Sequence, residues 1–506
     1  MSPLQLSVYW RLALIFLFSS FLFFLDILSD AVATDTCLHD NSSIVDPENN
    51  QSGSRDRFRR TESGNRDSVC GWTDVLSYGQ TLYMSGLLLG SLVGGAISDR
   101  YGSRPTLLVF VCLHIVCSLV PAVLPQPLVF LAVRCLAGVC NSIINVSSFC
   151  LAVEWTLPSA RLWPSAFLPF CFSLGTMGGA LLAWLSPTWK QLHLSLAIPQ
   201  LICLPLYLSI PESPRWLLLR RRKDVLERYR SNSTRDQRCL DQLLDSACSD
   251  LKKAQKEEPV TDHTPGDIII HLRHPTVLLR LIIMSYLSVA SALTYYGICM
   301  NIGSFGVGIY SAQFFSGLSE APCLLIPLVR LGRRPISMLT LFLSGAACFL
   351  SLLLSRYNSE PVLVMSLALM GKLCILATSS ISILYCIELF PTVVRQRCVS
   401  LVNLSFRLGS LVNTLVPPSS NGAISLAAML VYSGGPIIGS GLCLMLPETS
   451  DIPLPDSVED CDRQPRPRPP GLDAHWWTRK LWSSRTTKPE NLPAEKDTLK
   501  QLTGLI

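Results

Sequence analysis

The sequence predicts an all-α membrane protein with twelve membrane-spanning helices in two groups of six. Of its 506 residues, 49% are hydrophobic and only 15% are charged, whereas about a quarter of the residues in a soluble domain are charged. The apolar residues gather in runs of helix length, and each run suffices to cross a bilayer, which takes about 20 residues. Short connections join the runs within each group, and one long polar stretch separates the groups.

The apolar runs define the elements in order. In the first group they lie near residues 9–29, 78–97, 105–124, 128–150, 163–185 and 191–210, and in the second near residues 277–299, 305–329, 335–355, 361–388, 398–417 and 423–446. Residues 1–210 thus form one predicted six-helix bundle and residues 276–446 the other. Residues 211–275 are the polar loop between them. Residues 447–506 are a polar, proline-rich tail that we expect to be disordered.

Arginines in the short loops predict the orientation. They fall in pairs on one side of the predicted bundle: Arg100 with Arg104, Arg333 with Arg334, and Arg395 with Arg397. The positive-inside rule makes that side cytosolic, together with both termini and the loop 211–275. The formal net charge of +6 therefore reports membrane orientation and does not predict nucleic-acid binding.

The polar segment at about residues 31–77 is predicted to be an exoplasmic loop. It contains two glycosylation sequons, at Asn41 and Asn50. It also contains Cys37 and Cys70, a candidate disulfide pair in an oxidising compartment. Most of the remaining cysteines lie in apolar runs, where thiols behave as small hydrophobes.

The first apolar run allows two interpretations. Arg11 precedes an apolar stretch that ends near a small-residue Ala-Val-Ala sequence, which fits a cleaved signal peptide. The same run is long enough for a retained membrane helix, which is the favoured interpretation. Both interpretations leave residues 31–77 outside the cytosol.

Several charged motifs lie where predicted helices reach the cytosolic side. They are Asp-Arg-x-Gly-x-Arg at 99–104, Arg-x-x-x-Gly at 134–138, Glu-Trp-Thr with a later arginine at 154–161, Pro-Glu-Ser-Pro-Arg-Trp-Leu at 211–217 and Glu-Leu-Phe-Pro-Thr-Val-Val-Arg-Gln at 388–396. Gly-Ser-Arg-Pro at 102–105 is echoed by Gly-Arg-Arg-Pro at 332–335, one six-helix unit later. Together, from about Cys70 to Leu446, the motifs resemble those of the organic ion transporters, solute carrier family 22 of the major facilitator superfamily. The resemblance implies the major facilitator fold, with a substrate site at the midplane between the halves.

The resemblance also implies a cytosolic charge network that acts in gating. Its candidate members are Asp99, Arg100, Arg104, Arg134, Glu154, Arg161, Glu212, Arg215, Glu388 and Arg395. Exposed pairs of this kind contribute at most about 1 kcal/mol each, but pairs that form in only one state bias the equilibrium between inward-open and outward-open forms. The alternative is that they only cap helices and determine topology.

Ionisable groups inside the spans are the candidates for substrate contact, because each costs about 2.5 to 3.5 kcal/mol to insert at mid-helix. Three stand out: Arg407, Lys372 and Glu320. Arg407 begins an Arg-x-Gly-Ser sequence that resembles the organic anion transporters, and a guanidinium attracts carboxylates and sulfates. The alternative for Arg407 is a structural pair with Glu320.

Aromatic residues supply further candidates for the substrate site. Tyr295, Tyr296 and Tyr385 occupy positions that resemble cavity residues of the family, where aromatic faces would hold flat organic ions. Helix packing is the alternative for each of them.

Three residues depart from the family pattern. Cys323 stands where the organic anion transporters have a lysine, Cys398 where a glycine is usual, and Ser103 where a basic residue is usual. The first extracellular loop is also short. The resemblance therefore indicates a divergent, orphan-type member.

The expected function is secondary-active transport of small organic anions across the plasma membrane, with a counter-anion or coupled ion as a possible second solute. The sequence shows no metal cluster, nucleophile triad or phosphate-binding loop, so we expect no enzyme, no cofactor and no ATP-driven pump. Two alternatives stay open: a non-transporting receptor or scaffold, and an organic cation or zwitterion transporter.

Overall fold

The structure is a computed structural model. It describes residues 3–29, 32, 73–124, 126–156, 162–219, 225, 229, 237, 240–244, 274–305, 307–322, 332–357, 360–415, 426–449, 455 and 461. The first half contains α1 (Pro3–Phe23), α2 (Thr73–Tyr101), α3 (Ser103–Val123), α4 (Pro127–Glu154), α5 (Leu162–Trp184) and α6 (Trp189–Leu208). The second half contains α7 (Pro275–Met300), α8 (Ile309–Glu320), α9 (Arg333–Arg356), α10 (Pro361–Leu389), α11 (Thr392–Thr414) and α12 (Leu426–Cys443). A short helix, Pro214–Leu219, follows α6.

Nine of these helices are long and apolar enough to span a membrane, within the described part of the chain. The remaining three helices do not meet the criteria of length and hydropathy, each for a simple reason. Only twelve residues of α8 are described, α11 carries three arginines, and α12 has a shorter apolar stretch, Leu430–Cys443. The all-helical fold class predicted from the sequence is confirmed.

The helices pack into two bundles that meet along two seams. In the first half α4 lies against α2 and α3, while α1 lies against α5; in the second half α9 lies against α10 and α12, while α7 lies against α11. The seams between the halves are α5 with α8 and α2 with α11. Thr81 on α2 donates a hydrogen bond to the carbonyl oxygen of Thr414 on α11, with 3.4 Å between the oxygens.

The first helix is an integral part of its bundle. The side-chain amide of Gln5 donates to the carbonyl oxygen of Trp155 at 2.9 Å, and Tyr9 forms a hydrogen bond with Thr156. Leu12 and Val8 are fully buried in the core of the first half. These contacts favour a retained membrane helix over a cleaved signal peptide.

Glycines allow α2 and α4 to cross at backbone contact. A Cβ atom on Gly138 would lie 2.2 Å from the carbonyl oxygen of Tyr83, and one on Gly86 would lie 2.1 Å from that of Cys135. Both distances are far below van der Waals contact, and the obstructing atoms are backbone. Any side chain at either position must therefore push the two helices apart.

We expect Gly138→Ala to lower the thermal stability and surface level of the protein. Alanine stabilises a helix by about 1 kcal/mol relative to glycine. A loss of stability in Gly138→Ala would therefore come from the steric clash alone. Gly95→Ala on α2 is the matched control, because a Cβ there meets no atom within 4 Å. Thermal unfolding in detergent and surface biotinylation measure both variants, and equal stability of the two would contradict the close crossing.

Candidate functional site

A buried ion pair joins α8 and α10 in the second half, next to α5 of the first half. Nζ of Lys372 on α10 is 2.7 Å from Oε1 of Glu320 on α8, and both side chains are buried. Lys372 also donates to the Ser316 hydroxyl one turn earlier on α8. A buried charge is tolerable when it is paired and hydrogen-bonded, so the two residues stabilise each other's charged form.

Glu320 is bonded through both carboxylate oxygens. The Tyr295 hydroxyl on α7 donates to Oε1 at 2.8 Å. The Ser173 hydroxyl on α5 donates to Oε2 at 2.8 Å. The second of these bonds joins the two halves of the protein.

Aromatic side chains continue from the ion pair toward Arg407. The Tyr295 ring lies 5.2 Å from Lys372 Nζ and meets Tyr296 edge-on at 5.2 Å between centroids. Tyr296 in turn stacks on Phe23 of α1 at 6.1 Å and meets Phe406 edge-on at 6.2 Å. The aromatic layer is thus built from both halves.

Arg407 stands next to this layer on α11. Its side chain is half-buried and lies within electrostatic range of the Tyr296 hydroxyl. Among the residues that the structure describes, no carboxylate forms an ion pair with Arg407. The alternative expectation of an Arg407–Glu320 pair is wrong, because Lys372 occupies Glu320.

The structure therefore brings together five of the six predicted substrate residues: Arg407, Lys372, Glu320, Tyr295 and Tyr296. Tyr385 lies elsewhere, because it sits one turn before the end of α10, where its hydroxyl donates to the carbonyl oxygen of Pro447 at 2.6 Å. It is fully buried in the core of the second half. Its role is to hold the chain that follows α12.

Arg134 also departs from its predicted place in the cytosolic network. It lies near the start of α4, about 30 Å along the helix from Glu154 at the other end. Its guanidinium forms an ion pair with Asp26, donates to the carbonyl oxygen of Leu22 at 2.7 Å and lies 4.4 Å from the Tyr83 ring centroid. This site is buried in the first bundle at the end remote from the arginine loops.

Sequence analysis missed Asp26. A signal was present, because Asp26 is the only acidic residue in the apolar run 9–29, and an isolated acid in a span requires a partner. Its side chain is only 8% exposed. The Asp26–Arg134 pair joins the end of α1 to α4.

The predicted cytosolic end of the first half is organised by Glu212. The backbone N–H groups of Arg104 and Ser213 donate to Glu212 Oε1 at 3.2 and 3.1 Å. Burial raises the pKa of Glu212, and these two hydrogen bonds partly offset the rise. The Arg104 guanidinium donates to the carbonyl oxygen of Leu208, the last residue of α6, at 3.0 Å.

Gly102 makes the tight loop between α2 and α3 possible. Its φ angle is +96°, a conformation that residues with a side chain rarely adopt. A Cβ atom there would also lie 3.0 Å from the Trp216 ring. The glycine of the 99–104 motif is thus required by both backbone conformation and space.

The second half repeats this arrangement with Glu448. The backbone N–H groups of Arg333 and Arg334 donate to its two carboxylate oxygens at 2.9 and 3.2 Å. The Arg334 guanidinium donates to the carbonyl oxygen of Leu444, just after α12, at 2.7 Å. Sequence analysis missed Glu448, although Pro-Glu-Thr at 447–449 echoes Pro-Glu-Ser at 211–213.

The other described network residues lie at the same end. Arg333 pairs with Glu388 at 3.2 Å, and Arg395 donates to the carbonyl oxygen of Phe390 at 3.1 Å. Arg100 is exposed beside Tyr101, and Glu154 is half-buried at the end of α4. Outside the described residues or side chains lie Asp99, Arg161, Arg215, Cys323, Asn41, Asn50, Cys37 and Cys70.

Comparison with known proteins identifies the fold family. The model of the Major Facilitator Superfamily matches residues 71–414, more than half of the chain. The chain belongs to the major facilitator superfamily. Its fold is similar to that of the inward-open xylose transporter XylE from E. coli. The structural alignment covers 90% of this chain and 99% of the XylE chain, with a TM-score of 0.60 at 16% sequence identity.

Relatives place the chain within solute carrier family 22. It is 30% identical over 411 residues to human solute carrier family 22 member 13, covering 79% of this chain and 72% of that protein. It is 31% identical over 408 residues to organic anion transporter 3 of Oryctolagus cuniculus, covering 78% and 73%. It is also 28% identical over 410 residues to the organic cation transporter-like protein of Drosophila melanogaster, covering 78% and 71%.

The protein is therefore a multi-pass membrane protein of a transporter family rather than of an enzyme family. The resemblance to solute carrier family 22 predicted from the charged motifs is confirmed. The names of its relatives include both anion and cation carriers, so the substrate class has to be argued from this chain's own residues.

Proposed function

We propose that this protein carries small organic anions across the plasma membrane by alternating access, driven by exchange or by a gradient. The observation that supports it is Arg407. A half-buried guanidinium without an ion-pair partner among the described residues is a binding site for a carboxylate, sulfate or sulfonate. The Tyr296 and Phe406 rings beside it fit a flat organic body.

The charge of the cluster disfavours a cation as substrate. The only acidic side chain described in the cluster, Glu320, is already neutralised by Lys372 at 2.7 Å. A cation would therefore meet Arg407 without a compensating carboxylate, and like charges repel strongly in a low-dielectric interior. The charge of the cluster therefore favours an anion transporter over an organic cation or zwitterion transporter.

A receptor or scaffold without transport is the second alternative. That function would need no accessible charge between the halves. Arg407 is half-buried and unengaged by Glu320, which favours a site that a solute reaches.

Uptake measurements test the proposed function. Cells expressing the chain, and cells with an empty vector, are offered radiolabelled benzenesulfonate, an aromatic carboxylate, a quaternary ammonium ion and a zwitterion. We expect uptake of the two anions above the control and no uptake of the cation. Preloading the cells with unlabelled anion should accelerate uptake if the protein works by exchange. Uptake of the cation alone, or of none of the four by a surface-expressed chain, would contradict the proposal.

The arginine loops are proposed to act in gating by keeping each bundle rigid. Arg104 and Arg334 cap α6 and α12 in matching positions, and each of these bonds stays within one half. Such contacts hold each bundle rigid while the halves move against each other.

We expect Arg104→Ala to lower the maximal transport rate severalfold while the KM for benzenesulfonate stays near that of the parent. The substitution removes a contact at the rim and leaves the central cluster intact, so it slows the movement of the first half between states and does not change substrate contact. Arg334→Ala should act similarly because its bond is the equivalent one. Surface biotinylation is the control: reduced surface level with an unchanged rate per molecule would show a purely structural role.

A further inference from the structure

Five charged side chains among the described residues are buried or half-buried away from the arginine loops, and four of them form ion pairs. Asp26 pairs with Arg134, and Glu320 pairs with Lys372. Arg407 remains as a single positive charge between the halves. The sum over these five described side chains is therefore one net positive charge.

Glu320 occupies Lys372, the second cationic side chain of the cluster, in the way that a bound carboxylate would. Lys372 is fully buried, is bonded to Glu320 and the Ser316 hydroxyl, and lies beside the Tyr295 ring. Because Glu320 itself holds two further hydrogen bonds, from Tyr295 and Ser173, a solute that displaced it would break all of these contacts. Lys372 is therefore not available to bind an anionic group of the solute.

We propose that this charge balance makes the site selective for singly charged organic anions, and that the Glu320–Lys372 pair is the device that excludes doubly charged ones. A monoanion neutralises Arg407 and leaves the interior without net charge. A dianion leaves one negative charge uncompensated in a region of low dielectric, which is strongly unfavourable. This inference rests on the proposed function and names the substrate class of the same site.

The test compares benzenesulfonate with meta-benzenedisulfonate. Both are fully ionised strong acids on the same ring, so they differ by one charge without any change of protonation. We expect the parent to transport the monosulfonate with a transport efficiency, Vmax/KM, at least about tenfold above that of the disulfonate. Glu320→Gln removes the carboxylate that pairs with Lys372 and should shift this ratio toward the disulfonate by about tenfold or more.

The double variant Glu320→Gln/Lys372→Gln is the matched control. It removes both charges of the pair and restores one net positive charge, so it should keep the parental preference for the monosulfonate, whatever its rate. An unchanged ratio in surface-expressed Glu320→Gln would overturn the inference. If Glu320→Gln does not reach the surface, the inference is tested by the monosulfonate-to-disulfonate ratio of Vmax/KM in the double variant and in the parent. Equal transport efficiency for both anions in the parent would overturn the inference.

A binding measurement separates this inference from the proposed function. Purified full-length protein is heated in detergent with each sulfonate. If neither anion is taken up but benzenesulfonate alone raises the unfolding temperature, the transport proposal fails and the charge selection stands. If both anions are taken up equally well, transport stands and the charge selection fails. If neither is taken up nor stabilises the protein, both fail.

Discussion

Arg407→Asp is expected to lower organic anion uptake about tenfold or more, equivalent to at least about 1.4 kcal/mol of transition-state or binding free energy. The variant removes the one guanidinium in the central region that has no ion-pair partner among the described residues. It also places a negative charge where the anion would sit, so an attraction is replaced by a repulsion. Initial rates of benzenesulfonate uptake, normalised to surface level, measure the effect.

Two further variants of α11 sharpen this experiment. Arg407→Lys should retain part of the activity, because it keeps the charge and loses only the planar fork of donors. Arg397→Asp makes the same charge change at an exposed position, ten residues or about 15 Å along the helix, and should leave the preference for anions over cations unchanged. Parental anion uptake by surface-expressed Arg407→Asp would remove the main support for the anion assignment.

Asp26→Ala is expected to cause the largest loss of stability, about 3 to 5 kcal/mol, because removing one partner of a buried pair leaves an uncompensated charge. Arg134 is 2% exposed, so water cannot replace the lost carboxylate. The expected result is a lower unfolding temperature in detergent and a reduced surface level.

Replacing both partners is the control for this prediction. Asp26→Leu/Arg134→Met removes the two charges together and should recover much of the stability, since apolar residues often replace a buried ion pair without loss. The same measurement tests retention of α1, because a cleaved first segment would leave the mature protein indifferent to residue 26. Parental stability of Asp26→Ala would count against both the ion pair and the retained helix.

Much of the fold was predictable because membrane insertion depends on local composition. A span is recognised from about 20 consecutive residues, and the loops around residues 99–104 and 332–335 are recognised from a few charges and a glycine. The resemblance of these motifs to solute carrier family 22 needed no three-dimensional information either. Arg407, Lys372 and Glu320 were visible as charges inside apolar runs.

The pairing of those charges was not predictable from the runs in which they lie. A pair of Arg407 with Glu320 was the alternative that the sequence left open, yet α8 packs against α10 and Glu320 forms its ion pair with Lys372. Arg134 lies near the N-terminal end of α4, which is the end remote from the arginine loops, so it cannot join the cytosolic charge network.

The sequence by itself determined the membrane class, the two groups of spans and the presence of interior charges, since each depends on residues adjacent in the chain. Only the tertiary structure decided which charges cancel and which one remains, because that depends on helix neighbours and depth. An ion pair needs atoms within about 4 Å, and along the chain Glu320 and Lys372 are separated by all of α9 and the first part of α10. Packing brings them together and leaves Arg407 without an ion-pair partner among the described residues.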